Sequence, residues 1–395
     1  MNNYRILIDI STSGVWGRSL IRGFVRYSDI YGPWLLSFRY PYYLTGHKSL
    51  LSWVKTSKPD GVIMLQPRQS DIPGLLETGV PIIVSGYDRE IYPDFANLIT
   101  DHIAIGDMAA QYLLERKFRT FAFCGYDDFF WSSLRGKGFC DSLRYHGCEA
   151  ICYSQPQSRR QKFWENEQFV LAKWLKGLPK PAGLFACIDD RAAQVSEACK
   201  LAGLRIPEDI AILGVNNDEL ICSLPKQSLS SVAINAEKAG FEAARLMADM
   251  IGGKTQMKDR LIIVSPTHIV TRESTETIAI EDEQLRKAIN FMRQNAKSPI
   301  QVADVVAATK ESKRTLQKKF HNILGSSINA ELTRIRISMI KQLLMETSLS
   351  VSDIAGVSGF TSREHISRYF RKQTGISCSD FRKTNLIRPA ASENG

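Results

Sequence analysis

The sequence predicts a two-lobed α/β part, with parallel sheets and flanking helices, followed by an all-α domain holding two helix-turn-helix units. Three observations predict it. Over about the first 275 residues, short apolar β-branched runs alternate with helical patterns. The last part of the 395-residue chain loses those runs and carries nearly all of the excess positive charge. Within that part, a pattern of short helix, turn and second helix occurs twice.

The strand candidates are 5–10, 61–65, 81–85, 120–124, 183–187 and 210–215. Each is almost continuously apolar, as expected of strands covered on both faces. Helical faces lie between them: Leu20, Ile21, Phe24 and Val25, then Met108, Ala109, Tyr112 and Leu113, and later Phe241, Ala244, Arg245 and Met247. Alternating strands and helices imply parallel sheets with right-handed crossovers. Residues 1–272 suffice for two such sheets, hence two lobes. Ligands of open α/β sheets bind beyond the carboxyl ends of the strands, so polar residues just after each strand are the site candidates.

A polar run, Thr271-Arg272-Glu273-Ser274-Thr275-Glu276-Thr277, ends this part, and 273–282 reads as a linker. The domain 283–395 begins with a helical pattern over 284–294. Pro299 then precedes a short helix with Val302, Val305 and Val306 on one side. Val302-Ala303-Asp304-Val305-Val306 matches Val351-Ser352-Asp353-Ile354-Ala355. Further on, Ser312-Lys313 matches Ser362-Arg363, Leu316 matches Ile366, Phe320 matches Phe370, and Gly325 matches Gly375. In helix-turn-helix units the first helix braces and the second enters the major groove. Ile328, Leu332, Ile335, Met339, Leu343 and Leu344 predict one long amphipathic helix between the units.

Charge supports this division. Residues 282–395 hold 19 of the 51 Lys and Arg but 10 of the 41 Asp and Glu, a net of +9, leaving +1 for the rest. The small part, not the large one, suits a polyanion. No apolar run reaches the roughly 18 residues of a membrane span. The N-terminus lacks the charged and apolar regions of a secretory signal. Eight scattered Cys do not make a disulfide framework, so a reducing cytoplasm is expected. No phosphate-binding loop or nucleophile elbow occurs. His146, Cys148 and Cys152 are close, but their spacing is not a common zinc pattern. No catalytic residues, metal or cofactor are expected.

Residues 283–383 resemble the DNA-binding domain of the AraC/XylS family. The motifs are Ser312-x3-Leu316-x3-Phe320-x4-Gly325, Leu343-Leu344, Ile354-Ala355-x3-Gly359-Phe360, Ile366-x3-Phe370-x4-Gly375 and Phe381-Arg382. Two positions depart from the family: Cys378 stands where a Pro is usual, and His365 where an aromatic residue is frequent. Leu316, Phe320, Ile366 and Phe370 are expected to face inward. Lys313, Arg314, Gln317 and Lys318 then face outward on the first reading helix, and Arg363, Glu364, Ser367 and Arg368 on the second. The resemblance turns Arg314, Gln317 and Lys318 towards base edges. Arg suits guanine, Gln suits adenine, and Glu accepts from cytosine. Lys319, Arg371 and Lys372 are expected on phosphates.

Residues 4–272 resemble the periplasmic-binding-protein-like effector domain of LacI/GalR-type regulators. The matches, in order, are Thr100-Asp101, Phe121-Ala122-Phe123-Cys124-Gly125, Arg135-x2-Gly138-Phe139, Asp189-Asp190-x2-Ala193, and Ile206-Pro207-x-Asp209 running into Ile210-Ala211-Ile212-Leu213-Gly214-Val215. Leu229-Ser230-Ser231-Val232 looks like the crossover back to the first lobe. Effector module first and AraC-type reader last is the order of the xylose operon regulatory protein family. The resemblance implies a sugar cleft lined by Ser13, Trp16, Asp101, Trp131, Arg135, Asp189, Asp190 and Asn216. Asp, Asn and Arg pair with hydroxyls, and indoles cover the apolar face of a sugar ring. Asp101 and Asp190 also suit helix caps, and Trp16 and Trp131 also suit packing between lobes.

The expectation is a cytoplasmic, nucleoid-associated activator of sugar catabolism genes that responds to a pentose of the xylose type. Its expected partners are double-stranded operator DNA, the sugar, RNA polymerase and a second copy of the chain, with no membrane. The alternatives are a regulator of another ligand, a repressor, or a sugar-processing enzyme fused to a DNA-binding domain. Turnover of a sugar would mark the enzyme; saturable binding without turnover marks the regulator.

Overall fold

The computed structural model describes residues 3–38, 49–86, 91–157, 163–258, 260–276, 282–347 and 349–385. The chain divides into two compact units, one of residues 1–115 and 119–275, the other of 116–118 and 276–395.

The first lobe of the first unit starts with β1 (Arg5–Asp9), α1 (Val15–Tyr31), β2 (Leu35–Phe38), α2 (Leu50–Ser57) and β3 (Gly61–Leu65). It continues with α3 (Ile72–Leu76), β4 (Ile82–Ser85) and β5 (Ala96–Thr100). The chain then enters the second lobe through α4 (His102–Glu115), β6 (Thr120–Cys124), α5 (Phe130–Tyr145), β7 (Ala150–Cys152) and α6 (Trp164–Gly177). That lobe adds β8 (Ala182–Ala186), α7 (Asp189–Ala202), β9 (Ile210–Val215), α8 (Glu219–Ser223) and β10 (Ser230–Ile234). Next, α9 (Ala236–Ile251) and β11 (Leu261–Val264) return to the first lobe, and β12 (Pro266–Val270) to the second. The sheets run β11-β5-β4-β3-β1-β2 and β12-β10-β9-β8-β6-β7. The β10–β12 pair is antiparallel; the neighbouring β9–β10 and β8–β9 pairs are parallel.

The central strands are apolar on both faces because both faces are covered. In the first lobe, Ile6, Ile8, Ile63 and Ile83 belong to one core, and Leu7, Val62, Ile82 and Val84 to another. That is the two-residue alternation of a strand with a helix layer on each side. Two expectations need correction. Segment 229–232 contributes to β10, which pairs with β9 in the second sheet, so α9 makes the return. Val25 is 40% exposed, because the covered stripe of α1 is the narrower one of Leu20, Phe24 and Tyr27. Strand β5 went unread because Asn97 interrupts its apolar run. Its buried amide is satisfied by the Tyr92 N–H and by the Tyr92 and Phe95 carbonyls.

Each lobe has one helix pair in backbone contact. A Cβ on Gly240 of α9 would land on the Leu20 carbonyl of α1, and one on Gly23 on the Glu237 carbonyl. In the second lobe, a Cβ on Gly138 of α5 would land on the Ile103 carbonyl of α4, and one on Gly106 on the Arg135 carbonyl. The second lobe also buries an ion pair. Arg191, fully buried, reaches Glu167 at 2.6 Å. Gln155 donates to the same carboxylate at 3.2 Å, and the Tyr126 ring lies 4.8 Å from the guanidinium.

The second unit is helical: α10 (Glu283–Gln294), α11 (Val302–Ala307), α12 (Lys313–Lys319), α13 (Ile328–Glu346), α14 (Val351–Val357), α15 (Arg363–Thr374) and α16 (Cys378–Asn385). Residues Phe320–Leu324 extend α12 as a wider π-helical turn. Leu285, Ile289, Val305, Leu316, Phe320 and Leu332 form one core; Ile340, Leu344, Ile354, Ile366, Phe370 and Cys378 form a second. Helix α13 supplies both. The repeated Asp residues have a physical role: Asp304 and Asp353 each complete a capping box, with Gln301 and Ser350 respectively. Gly325 and Gly375 end their segments in the left-handed region at φ 64° and 80°. Cys378 is buried and fills the second core at the position where the family's Pro is expected. Among the described residues, no helix is long and apolar enough to cross a membrane.

Gly138→Ala is expected to destabilise the chain by about 1–3 kcal/mol, since backbone cannot yield as a side chain does. Gly177→Ala is its control, because a Cβ there meets nothing within 4 Å. Urea unfolding should lower the midpoint for the first and leave it level or raised for the second.

Candidate functional site

A cavity of about 360 Å³ lies between the lobes of the first unit, at the carboxyl ends of the strands. The loop after β1 brings Ser11, Ser13 and Gly14, and the first turn of α1 brings Trp16. Gly86 follows β4, Thr100 ends β5, and His102 opens α4. From the second lobe come Trp131 and Arg135 on α5, Ile188 and Asp190 after β8, and Asn216 after β9.

Arg135 organises the wall. Its guanidinium is buried, with Nη1 donating to the Cys187 carbonyl at 2.5 Å and Nε to His102 Nδ1 at 3.3 Å. The Trp131 ring lies 5.0 Å from it. Burial, and then the Arg135 charge, push the His102 pKa down to about 3. The imidazole is therefore neutral near pH 7, with Nδ1 accepting and Nε2 carrying the proton.

The turn after β9 is held from below. Asn216 and Asn217 adopt φ of 100° and 51°, a region where Asn is enriched among non-glycine residues. The Asn216 Oδ1 is buried and makes no hydrogen bond among the described residues. Asp218 N–H donates to Asp189 Oδ2 at 2.8 Å, and Ser231 Oγ donates to Asp189 Oδ1 at 2.6 Å. Burial pushes the Asp189 pKa up to about 7, against the pull of those two donors. One ion pair ties the lobes at the mouth, with Arg18 Nη2 at 3.1 Å from Asp218 Oδ2. Arg18 also donates to the Thr12 and Ser13 carbonyls, which shapes the first loop.

Of the eight expected ligand residues, Ser13, Trp16, Trp131, Arg135, Asp190 and Asn216 line the cavity. Asp189 does not. It is 1% exposed and anchors the turn behind the wall, so its expected ligand role is replaced by a positioning one. Asp101 is also outside the lining, and its Oδ1 accepts the Ala104 N–H at the start of α4. The expected set lacked Ser11, Gly14, Gly17, Gly86, Thr100, His102 and Ile188. Ser11 had a local signal as the polar residue after the first strand, and Thr100 and His102 had one at the matched Thr100-Asp101 pair.

In the second unit, Ser312 and Ser362 cap α12 and α15 by accepting the Thr315 and His365 N–H groups. Leu316, Phe320, Ile366 and Phe370 are fully buried. Lys313, Arg314, Gln317 and Lys318 are exposed on one helix, and Arg363, Glu364, Arg368, Arg371 and Lys372 on the other, with Ser367 half-buried. His365 packs on the Phe360 ring at 5.2 Å and bonds Thr361 Oγ1, which accounts for an imidazole at that place. Lys319 departs from expectation. Its ammonium lies 2.7 Å from both Asp282 and Glu311, so it clasps the unit together instead of facing a phosphate.

The His102 shift has a pH consequence. The unfolded imidazole takes a proton below its ordinary 6.5, whereas the folded one stays neutral down to about 3. Stability contributed by the neutral ring is complete above 6.5 and is lost as pH falls through that window. Asp189, with its raised folded value, acts in the opposite sense there, so a variant is needed to isolate His102. His102→Gln should lose less stability than the parent as pH falls across the window, measured as the shift of the urea midpoint. An equal loss would place the titration elsewhere.

Comparison with known proteins agrees with this architecture. A periplasmic binding protein-like domain matches residues 110–275, and a helix-turn-helix domain matches residues 305–384. The xylose operon regulatory protein of Haemophilus influenzae is 29% identical over 329 residues, covering 82% of this chain and 84% of that protein. Its counterpart in Escherichia coli K12 is 28% identical over 332 residues, with the same coverage. A solved structure of the xylose-binding transcription activator xylR matches with a TM-score of 0.61 at 25% identity, covering 98% of this chain and all of that one. These relatives are named as regulators of transcription. The cleft-bearing α/β unit followed by the helix-turn-helix unit makes the chain similar, over 82% of its length, to the xylose operon regulatory proteins.

Proposed function

We propose that the chain is a sugar-responsive, sequence-specific transcription regulator whose ligand is a pentose of the xylose type. The observation that carries this is the cavity between the lobes, where two indoles and a set of donors and acceptors converge. Trp16 and Trp131 suit the apolar faces of a sugar ring. Asp190 accepts from hydroxyls, Asn216 both donates and accepts, and Ser13 does the same. Arg135 holds His102 in the tautomer that donates from Nε2. The relatives named for xylose support the pentose and the activating role, and RNA polymerase is then a partner. The proposed division is an effector domain over 1–272, a linker over 273–282 and a DNA-binding domain over 283–395. Its place of action is the cytoplasm, at the nucleoid.

In this reading Lys313, Arg314, Gln317 and Lys318 meet one major groove, and Arg363, Glu364, Ser367 and Arg368 the next. Arg371 and Lys372 meet phosphates. Helix α13 has 19 residues, about 28 Å at 1.5 Å per residue, against about 34 Å for one DNA turn. A dimer made through the effector lobes presents four reading helices, and sugar acts by re-spacing the two DNA-binding domains without refolding them. A ligand shifts such an equilibrium only by its differential affinity for the two states.

The test is a thermal-shift screen of the full chain against pentoses and hexoses, followed by binding to a paired-site operator. D-xylose at about 100 times its Kd should stabilise the native state by about 2.7 kcal/mol and raise Tm. It should also tighten binding to the paired site. No shift with any pentose would remove the ligand from the proposal and leave the DNA-binding role standing.

The reading helices separate by variant. Gln317→Ala and Arg368→Ala should each relax preference at one part of the operator, at about 1–3 kcal/mol per lost base contact. Lys372→Ala should weaken all sequences alike and reduce the salt slope by about one. A change of sequence preference on Lys372→Ala would reverse the facing assigned to α15.

A further inference from the structure

Cys140 on α5 and Cys152 at the end of β7 bring their sulfurs to 3.8 Å, although twelve residues separate them. Both are free thiols, Cys140 half-buried and Cys152 exposed. The remaining cysteines are arranged differently. Cys124, Cys187, Cys199, Cys222 and Cys378 are buried. Burial pushes Cys124 and Cys199 up to about 12 and Cys187 to about 11, so they stay protonated and shielded. Cys148 is half-buried, and its sulfur lies 3.7 Å from the His146 carbonyl. Among the described residues, strand β7 is the edge of the second sheet and pairs with β6.

We propose that Cys140 and Cys152 are a redox-active dithiol, which hydroperoxides oxidise to an intramolecular disulfide clamping α5 to the edge strand β7. The pair is chemically asymmetric. The contact with Cys140, with Arg144 nearby, brings Cys152 down to about 7 against the effect of partial burial. The same contact pushes Cys140 up, with burial and Asp141 adding to it. Cys152, the exposed sulfur on the edge strand, is the attacking thiol, and the half-buried Cys140 is the resolving one. Cys152 sulfur attacks the peroxide, an S–O bond forms and the O–O bond breaks, and the departing oxyanion takes a proton to leave as alcohol or water. Cys140 sulfur then attacks the Cys152 sulfenic acid, an S–S bond forms, the S–O bond breaks, and hydroxide leaves with the Cys140 proton as water. Two thiols and one hydroperoxide thus give one disulfide, one alcohol (or water) and one water. A disulfide bond is about 2.0 Å long, and side-chain rotation at an exposed edge is the movement that closes the gap.

The clamped helix is the one that builds the cleft wall, since α5 also carries Trp131 and Arg135. The inference does not depend on which ligand fills that cleft. Its test treats the full chain with hydrogen peroxide, blocks the remaining thiols and maps peptides without reduction. A Cys140–Cys152 linked peptide should form, vanish with dithiothreitol, and survive in Cys148→Ser. Cys140→Ser should accumulate a sulfenic acid at Cys152 that dimedone traps, and Cys152→Ser should show neither product. A link through Cys148, or peroxide consumption that leaves both Cys140 and Cys152 reduced, would overturn the proposal. So would a Cys152 that reacts no faster than Cys148.

Discussion

Backbone-to-backbone contact between α4 and α5 is the constraint on which the cleft depends. Gly106 faces the Arg135 carbonyl and Gly138 faces the Ile103 carbonyl, so the two helices meet backbone to backbone at these points. That approach brings His102, at the start of α4, within hydrogen-bond reach of Arg135 on α5. The charge state of the wall is then fixed: one cation held by a carbonyl and an indole, and one imidazole kept neutral by burial and then by its cationic neighbour. The first lobe repeats the device with Gly23 and Gly240, where α9 returns from the other lobe and must lie against α1. Both Gly pairs therefore involve a helix that the chain enters on crossing between lobes.

The polar interior of the second lobe follows a related logic. Arg191 and Glu167 are removed from water together, with Gln155 and two tyrosine rings completing the shell. A buried pair of this kind contributes little net stability, but loss of one partner strands the other charge. Asp189 is tethered in the same manner, by Ser231 and the Asp218 N–H. Its task is to hold the turn that aims Asn216 at the cavity and Asp218 at Arg18. A carboxylate that looks like a ligand in a list of polar residues is thus a support for two others.

The DNA-binding unit is built by local rules used twice. Each half has a short capped helix, a turn, a longer basic helix with two buried anchors, and a left-handed glycine at its end. Helix α13 contributes residues to both cores, and so makes two small helical bodies into one. The lysine clasp at Asp282 and Glu311 uses a basic side chain of α12 for architecture, as Arg336 does by donating to the Ser298 and Ile300 carbonyls.

The sequence by itself determined whatever is written within one strand or one helical turn. The buried central strands were legible because cover on both faces makes them continuously apolar. The twin readers were legible because anchors, caps and glycines recur at fixed spacing. Trp16, Trp131, Arg135, Asp190 and Asn216 were legible as residues after strand ends or at the start of helices, and they line the cavity. The tertiary structure alone decided the rest. The edge strands β2 and β7 are short and half-exposed, so they lack the buried pattern. Arg18 meets Asp218 from 200 residues away, and Cys140 meets Cys152 only because α5 packs beside the sheet edge. The burial of Asp189 and the neutrality of His102 follow from what surrounds them, and three crossings of the chain between lobes assemble those surroundings from segments that carry no local record of one another.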